Sequence, residues 1–169
     1  VSLTLEQFTE GVVVPVLHRV GDRWAGGGIC PAHEHVLSHQ VARVLGWVWN
    51  SIWVPRGSPR AVATTFAGER HEFGAMLASI VAAEEGWNVT YAGADLPARD
   101  IAQAIRSSGA RVALLSLVGT SGDVEPESEL RQLRASIGGD VRVFVGGAGV
   151  GGRRGELEGG GGTPLPDLG

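Results

Sequence analysis

Lysine is missing from this chain altogether: all 14 basic residues are arginine. That excludes a Walker A phosphate loop, a pyridoxal-phosphate Schiff base and a lysine nucleophile, since each needs a primary amine at one fixed place. Cysteine occurs once, at Cys30, which rules out an internal disulfide and any multi-cysteine zinc site. No apolar run approaches the roughly 18 to 20 residues that cross a bilayer. The first charges are Glu6 and Glu10 rather than a basic cluster before a cleavage site, so no signal peptide is read. A cytoplasmic protein without a membrane partner is the expectation. The net charge of −4 speaks against this segment gripping DNA by itself, because neutralising phosphates dominates nucleic-acid affinity. The chain starts at Val1 without an initiator Met, which reads as a fragment of a longer protein.

What is present suits a globular chain. Its 169 residues, 43% of them hydrophobic, allow one α/β domain with a small helical attachment. Composition changes near Pro55 to Pro59, which suggests a helical part over 1–57 and a sheet domain over 58–169. In the first part, Leu5, Phe8, Val12, Val16, Val20 and Trp24 recur at helical spacing. Pro15 should kink that helix or start a new one, and Gly26 to Gly28 should end it. A second helix is predicted over Ala32 to Val54, with Val36, Val41, Val44, Leu45, Val48 and Ile52 on one broad face. Two helices do not close a bundle, so further helices are expected upstream.

From Arg60 onward, short apolar runs alternate with amphipathic stretches. Strands are predicted at Ala61–Phe66, Asn88–Tyr91, Val112–Leu117 and Val141–Val145, and helices at Arg70–Glu85, Pro97–Ser107 and Glu127–Ile137. Strands that are apolar throughout indicate a parallel sheet covered on both faces, and right-handed crossovers then make it doubly wound and Rossmann-like. Residues 146–169 are glycine-rich and promise only a weak last strand or helix.

Ligands of such sheets sit beyond the carboxyl ends of the strands. Three loops there stand out. The first holds Glu69, Arg70, His71 and Gly74: a histidine two residues after a carboxylate can donate one ring N–H to it and offer the other nitrogen to a metal. The second begins Ser116-Leu117-Val118-Gly119-Thr120-Ser121. The third, Gly146-Gly147-Ala148-Gly149, lets a bulky ligand approach the backbone. Each feature is common on its own: a loop histidine is usually a surface residue, a serine at a strand end usually bonds locally, and a glycine pair is usually a turn.

Together, the motifs and their spacing resemble the cobalamin-binding signature D-x-H-x-x-G, S-x-L, G-G. The chain has Glu69-x-His71-x-x-Gly74, then 41 residues to Ser116-Leu117-Val118, then 27 to Gly146-Gly147. Glu69 stands in place of Asp and Val118 in place of Leu; carboxylate and apolar character are kept. The resemblance implies that His71 replaces the nucleotide base of cobalamin and binds cobalt from below. It also implies that the displaced tail threads between Ser116 and Gly146-Gly147.

The helical part adds Trp24, nine residues, then Glu34-His35. This resembles the cap of the CarH/LitR-type photoreceptors, cobalamin-dependent regulators of the MerR family. The resemblance implies that Trp24 covers adenosine on the upper face, with Glu34 and His35 lining its pocket. It further implies a light-sensing adenosylcobalamin domain, not an enzyme, that is a homo-oligomer in the dark and reaches DNA only through a separate domain. In several such proteins a histidine follows the capping tryptophan; here it is Ala25, so water, His33 or His35 would fill the upper cobalt position after light. The alternatives are a corrinoid methyl carrier and a light-independent cobalamin-sensing antirepressor. The pair His35 and His39 at i, i+4 lacks a third zinc ligand.

Overall fold

A computed structural model describes residues 4–26, 28, 30–119 and 124–166. The chain divides into two compact units, Val1–Ser51 and Ile52–Gly169. Among the described residues, no helix is long and apolar enough to cross a membrane.

The first unit is helical. α1 (Leu5–Phe8) runs through a π-helical turn (Thr9–Val13) into α2 (Val14–Ala25). Its start is a reciprocal cap. The Gln7 amide donates to Thr4 Oγ1 at 3.1 Å, and the Thr4 amide to Gln7 Oε1 at 3.0 Å, so two donors that lack helical partners are satisfied. The π turn lies immediately before Pro15, where a kink is expected, because proline lacks an N–H and its ring crowds the carbonyl four residues back.

α3 (Pro31–Ser51) opens on a proline, whose missing N–H costs nothing at that position. It ends sooner than the predicted Val54. Its buried stripe is also narrower than predicted: Leu45 and Val48 are buried, while Val36 and Val44 are exposed. At about 100° per residue, Val36 falls on the side opposite Leu45.

The second unit is an α/β sandwich. It contains β1 (Arg60–Thr65), α4 (Phe73–Glu84), β2 (Asn88–Tyr91), α5 (Ala98–Ser108), β3 (Val112–Ser116), α6 (Pro126–Ser136) and β4 (Arg142–Gly146). A short 3-10 turn (Ala148–Val150), α7 (Arg154–Gly159) and β5 (Thr163–Pro164) complete it, so the glycine-rich end holds both a helix and a strand. The five strands are parallel in the order β2-β1-β3-β4-β5. This is the doubly wound, flavodoxin-like arrangement predicted from the sequence.

β1 lies between β2 and β3, and every residue from Ala61 to Thr65 is buried, as a strand covered on both faces requires. One face of the sheet packs Val62, Leu115 and Val143 against Ile101, Ile105 and Leu130 of α5 and α6. α5 buries Ala98, Ile101, Ala102 and Ile105, a helical stripe, and ends on Gly109 at φ 69. Pro97 precedes α5 in an extended conformation and gives it no side-chain cap; Glu129 of α6 instead accepts the Ala98 amide at 2.7 Å.

Register aligns the site. Thr65 pairs with Ser116, and Ser116 with Gly146, so three strands end on one row. The strand order reverses between β1 and β3, and a crevice opens at such a switch point.

Candidate functional site

Glu69 and His71 leave the end of β1 together. The Glu69 side chain is fully buried. Its Oε1 accepts the His71 amide at 2.9 Å and lies 2.6 Å from His71 Nδ1. An ionised carboxylate can only accept, so Nδ1 carries the proton, and in the neutral ring Nε2 keeps its lone pair. The His71 side chain is 62% exposed, which leaves Nε2 accessible. Among the described residues, no group of three or more His, Cys, Asp or Glu converges as a metal site. One held imidazole therefore suits a metal that arrives with most of its ligands already in place.

The second oxygen of Glu69 turns the other way. Oε2 accepts the amides of Val118 at 2.7 Å and Gly119 at 2.6 Å, in the loop after β3. Val118, chosen from the sequence for an apolar side chain, thus contributes its backbone N–H, while that side chain is substantially exposed.

Ser116 sits on the same row, buried, with an Oγ that has no hydrogen-bond partner among the described residues. Buried hydroxyls are normally paired, so an orphan here points to a partner the protein does not itself supply. Gly74 opens α4 directly against it: a Cβ at Gly74 would collide with Ser116 Oγ. The glycine pair divides into two roles. Gly147 has φ 107, and a Cβ there would strike the Leu117 carbonyl. Gly146 is not constrained in this way, since its nearest neighbours would be Leu165 carbons at 3.7 Å. Paired in register, it shares a face of the sheet with Ser116.

These features fit cobalamin: a presented imidazole nitrogen, a buried hydroxyl without a partner among the described residues, and glycines where a tail would approach the backbone.

Two residues of the site were missed in the sequence. Thr65 Oγ1 donates to the Glu69 carbonyl at 2.5 Å and accepts the Asp95 amide at 2.8 Å. Asp95, at φ 60 in the loop after β2, accepts the Gly68 amide at 2.7 Å. The carboxyl-end rule that picks out the loops after β1, β3 and β4 applies equally to this neighbouring loop, and its carboxylate was the available signal. Arg70 is exposed, with Nε 3.7 Å from Asp95 Oδ2, a surface pair. Arg60 lies at the opposite end of β1 and donates to the Ser108 carbonyl at 2.7 Å. Tyr91, at the end of β2, donates to Glu72 Oε2 at 2.6 Å. Burial, then the Glu72 hydrogen bond and charge, hold its phenol well above the ordinary value.

Trp24, Glu34 and His35 belong to the first unit. The Trp24 side chain lies outside the described ones, as do those of Ala25, Thr120 and Ser121. Glu34 engages its own helix: Oε1 accepts Ser38 Oγ at 2.5 Å, and Oε2 lies 3.0 Å from His35 Nδ1.

Comparison with known proteins agrees with this geometry. A B12 binding domain model matches residues 59–161, and a second B12 binding domain model matches residues 2–48. The chain is 33% identical over 146 residues to the HTH-type transcriptional repressor CarH of Myxococcus xanthus, covering 85% of this chain and 48% of that protein. It is 30% identical over 149 residues to the repressor CarA of the same organism, covering 88% and 49%. The chain thus spans about half the length of these curated relatives. Among solved structures, the monomethylamine corrinoid protein of Methanosarcina barkeri superposes with a TM-score of 0.66 at 16% identity, over 89% of this chain and 72% of that one. A cobalamin-binding protein of Desulfitobacterium hafniense does so at 0.51 and 17%, over 86% and 68%.

Proposed function

The chain belongs to the B12 binding domain family and is a CarH-like cobalamin-binding region, and from that premise we propose that it is the light-sensing, adenosylcobalamin-binding part of a transcriptional regulator rather than an enzyme. The observation that carries the reading is the His71 ring, fixed through Nδ1 by a buried carboxylate with Nε2 left to bind cobalt. Ser116 Oγ would donate to the incoming tail, and Gly146, lacking a Cβ, would let it approach the strand end. Gly74 keeps the start of α4 clear of that hydroxyl. The adenosyl group is assigned to Trp24, Glu34 and His35, with Glu34 accepting from ribose hydroxyls.

Adenosylcobalamin, when bound, would supply a light-sensitive cobalt–carbon bond. The protein's part is to bind in the dark as a homo-oligomer and to change oligomer state once adenosine leaves, a population shift driven by the ligand. Contact with DNA belongs to a separate domain of a cytoplasmic regulator.

The test is an absorption spectrum with adenosylcobalamin, in the dark and after green light, for the wild type and His71→Ala. A histidine-ligated dark spectrum that changes irreversibly on illumination, and is lost in His71→Ala, is the expected result. No binding would overturn the cobalamin reading. Binding without a protein-dependent light change would overturn the photosensor.

A further inference from the structure

His71 stands in a short stretch whose side chains face solvent: Arg70 is 81% exposed and His71 62%. To ligate a metal at one fixed place, its ring needs the chain held on both sides. The upstream side is held by Glu69, which accepts the His71 amide and faces the ring. The downstream side is held by a bond to another strand. Glu72, the next residue, accepts the Tyr91 hydroxyl at 2.6 Å through Oε2, from 19 positions along the chain.

This carboxylate does not serve the helix that it precedes. An acidic side chain before a helix ordinarily accepts from the free amides of the first turn, where the dipole favours it. Glu72 occupies that place before α4 and makes no such bond. Tyr91 engages it instead. Tyr91 ends β2 beside Ala63, on the same face of the sheet as Ser116, against which α4 opens. Its side chain is partly buried, so the hydroxyl is a fixed point rather than a swinging one.

Residues 71 and 72 share one planar peptide, with Cα atoms about 3.8 Å apart. A shift of Glu72 therefore reaches the neighbouring His71 almost undiminished. With Glu69 alone, the segment can still pivot about its bonds to that carboxylate; an anchor on the other side of His71 removes the pivot. The tolerance is small, since metal–nitrogen distances must be met within about 0.2 Å.

We propose that Tyr91 is a positioning residue for the cobalamin site: through Glu72 it fixes the chain downstream of His71 and so sets where Nε2 meets cobalt. The inference rests on the cobalamin reading above and adds a residue role to it. A bond that only fastened α4 to β2 would raise the melting temperature and leave ligation alone.

The experiment uses Tyr91→Phe, which keeps the ring, Glu72→Leu, which removes the acceptor, and Glu72→Gln, whose amide oxygen can still accept from Tyr91. His71→Ala and Tyr91→Phe/His71→Ala complete the set, and thermal melting of the ligand-free proteins checks the fold. Ligation is read by absorption in the dark with adenosylcobinamide, the corrinoid without its nucleotide tail, because a nitrogen-ligated spectrum then comes only from the protein. Affinity for adenosylcobalamin is read by calorimetry. Tyr91→Phe and Glu72→Leu should lower the nitrogen-ligated fraction and weaken adenosylcobalamin binding about fivefold, the size of one hydrogen bond. Glu72→Gln should ligate like the wild type. On the His71→Ala background, Tyr91→Phe should leave affinity unchanged within about twofold, since its effect passes through the missing ring.

Unchanged ligation in Tyr91→Phe, an equal loss of affinity with and without His71, or a loss of ligation in Glu72→Gln as complete as in Glu72→Leu would each overturn the proposal and leave the cobalamin reading intact. A wild type that binds neither corrinoid, or a His71→Ala spectrum identical to that of the wild type, would sink the cobalamin reading itself.

Discussion

Gly146 and Gly147 are adjacent in the chain, yet alanine at the two positions should have opposite effects. At Gly147 the backbone has φ 107 and ψ 167, a region open almost only to glycine, and an added Cβ meets the Leu117 carbonyl. That carbonyl is not free to retreat: it accepts the Gly149 amide at 3.0 Å, while the Leu117 amide donates to the Gly146 carbonyl at 2.8 Å. Backbone strain of about 1–3 kcal/mol and a similar overpacking term combine to about 3 kcal/mol or more. For a chain of this size that lowers the melting temperature by about 10 °C. Gly146→Ala has neither strain nor clash, and should stabilise the ligand-free protein by about 0.5 kcal/mol through the unfolded chain. Its methyl group would instead stand beside Ser116 on the proposed path of the tail and weaken cobalamin binding by about tenfold, the cost of displacing a well-fitted group. Circular-dichroism melts of both ligand-free variants, followed by cobalamin titration, separate the two effects. If Gly147→Ala melts like the wild type, or Gly146→Ala loses as much stability as Gly147→Ala, the division of the pair into a structural and a ligand-facing glycine is wrong.

Further expectations concern single groups. Ser116→Ala removes a buried hydroxyl that has no partner among the described residues, so the ligand-free protein should gain about 1 kcal/mol in urea unfolding. The same change should weaken binding of cobalamin but not of cobinamide. Tyr91 is the sole tyrosine, so its ionisation can be followed by absorbance at alkaline pH without interference from another phenol. Its folded pKa lies above the unfolded value of about 10, so the folded state holds the proton longer. The resulting stability is fully present below about pH 10 and is lost as pH rises further; Tyr91→Phe should flatten that decline, and an unchanged slope would refute the assignment. Glu129→Ala leaves the Ala98 amide without its acceptor at the start of α5, and should cost about 1 kcal/mol in the same unfolding assay.

The architecture was legible in the residues because local and global preferences agree. The apolar strands, the amphipathic stripe of α5 and the proline before it each demand one local conformation. Alternating strands and helices then leave few topologies. Periodicity failed where it was counted too broadly: Val36 and Val44 belong to the sequence of an apolar face but not to the stripe that α3 buries.

The candidate site was legible as a set of spacings. Residues 69–74, 116–118 and 146–147 are far apart in the chain, and parallel pairing of Thr65 with Ser116 and Gly146 brings their loops to one edge. The identity of His71 as the exposed imidazole beside a carboxylate followed from residues two apart. What no spacing could reveal is that Glu69 also spans to Val118 and Gly119 amides, that Asp95 and Thr65 hold its backbone, and that Ser116 has no partner among the described residues. Backbone donors carry no mark in the sequence, since every residue but proline has one. Likewise the two letters of Gly146-Gly147 are the same, and only the approach of Leu117 to one of them tells which the fold needs. Sequence alone determined the strands, the order of motifs and the kind of ligand. Tertiary structure decided which atoms face one another, because hydrogen bonds and close contacts depend on distances of a few tenths of an ångström that only the folded chain sets.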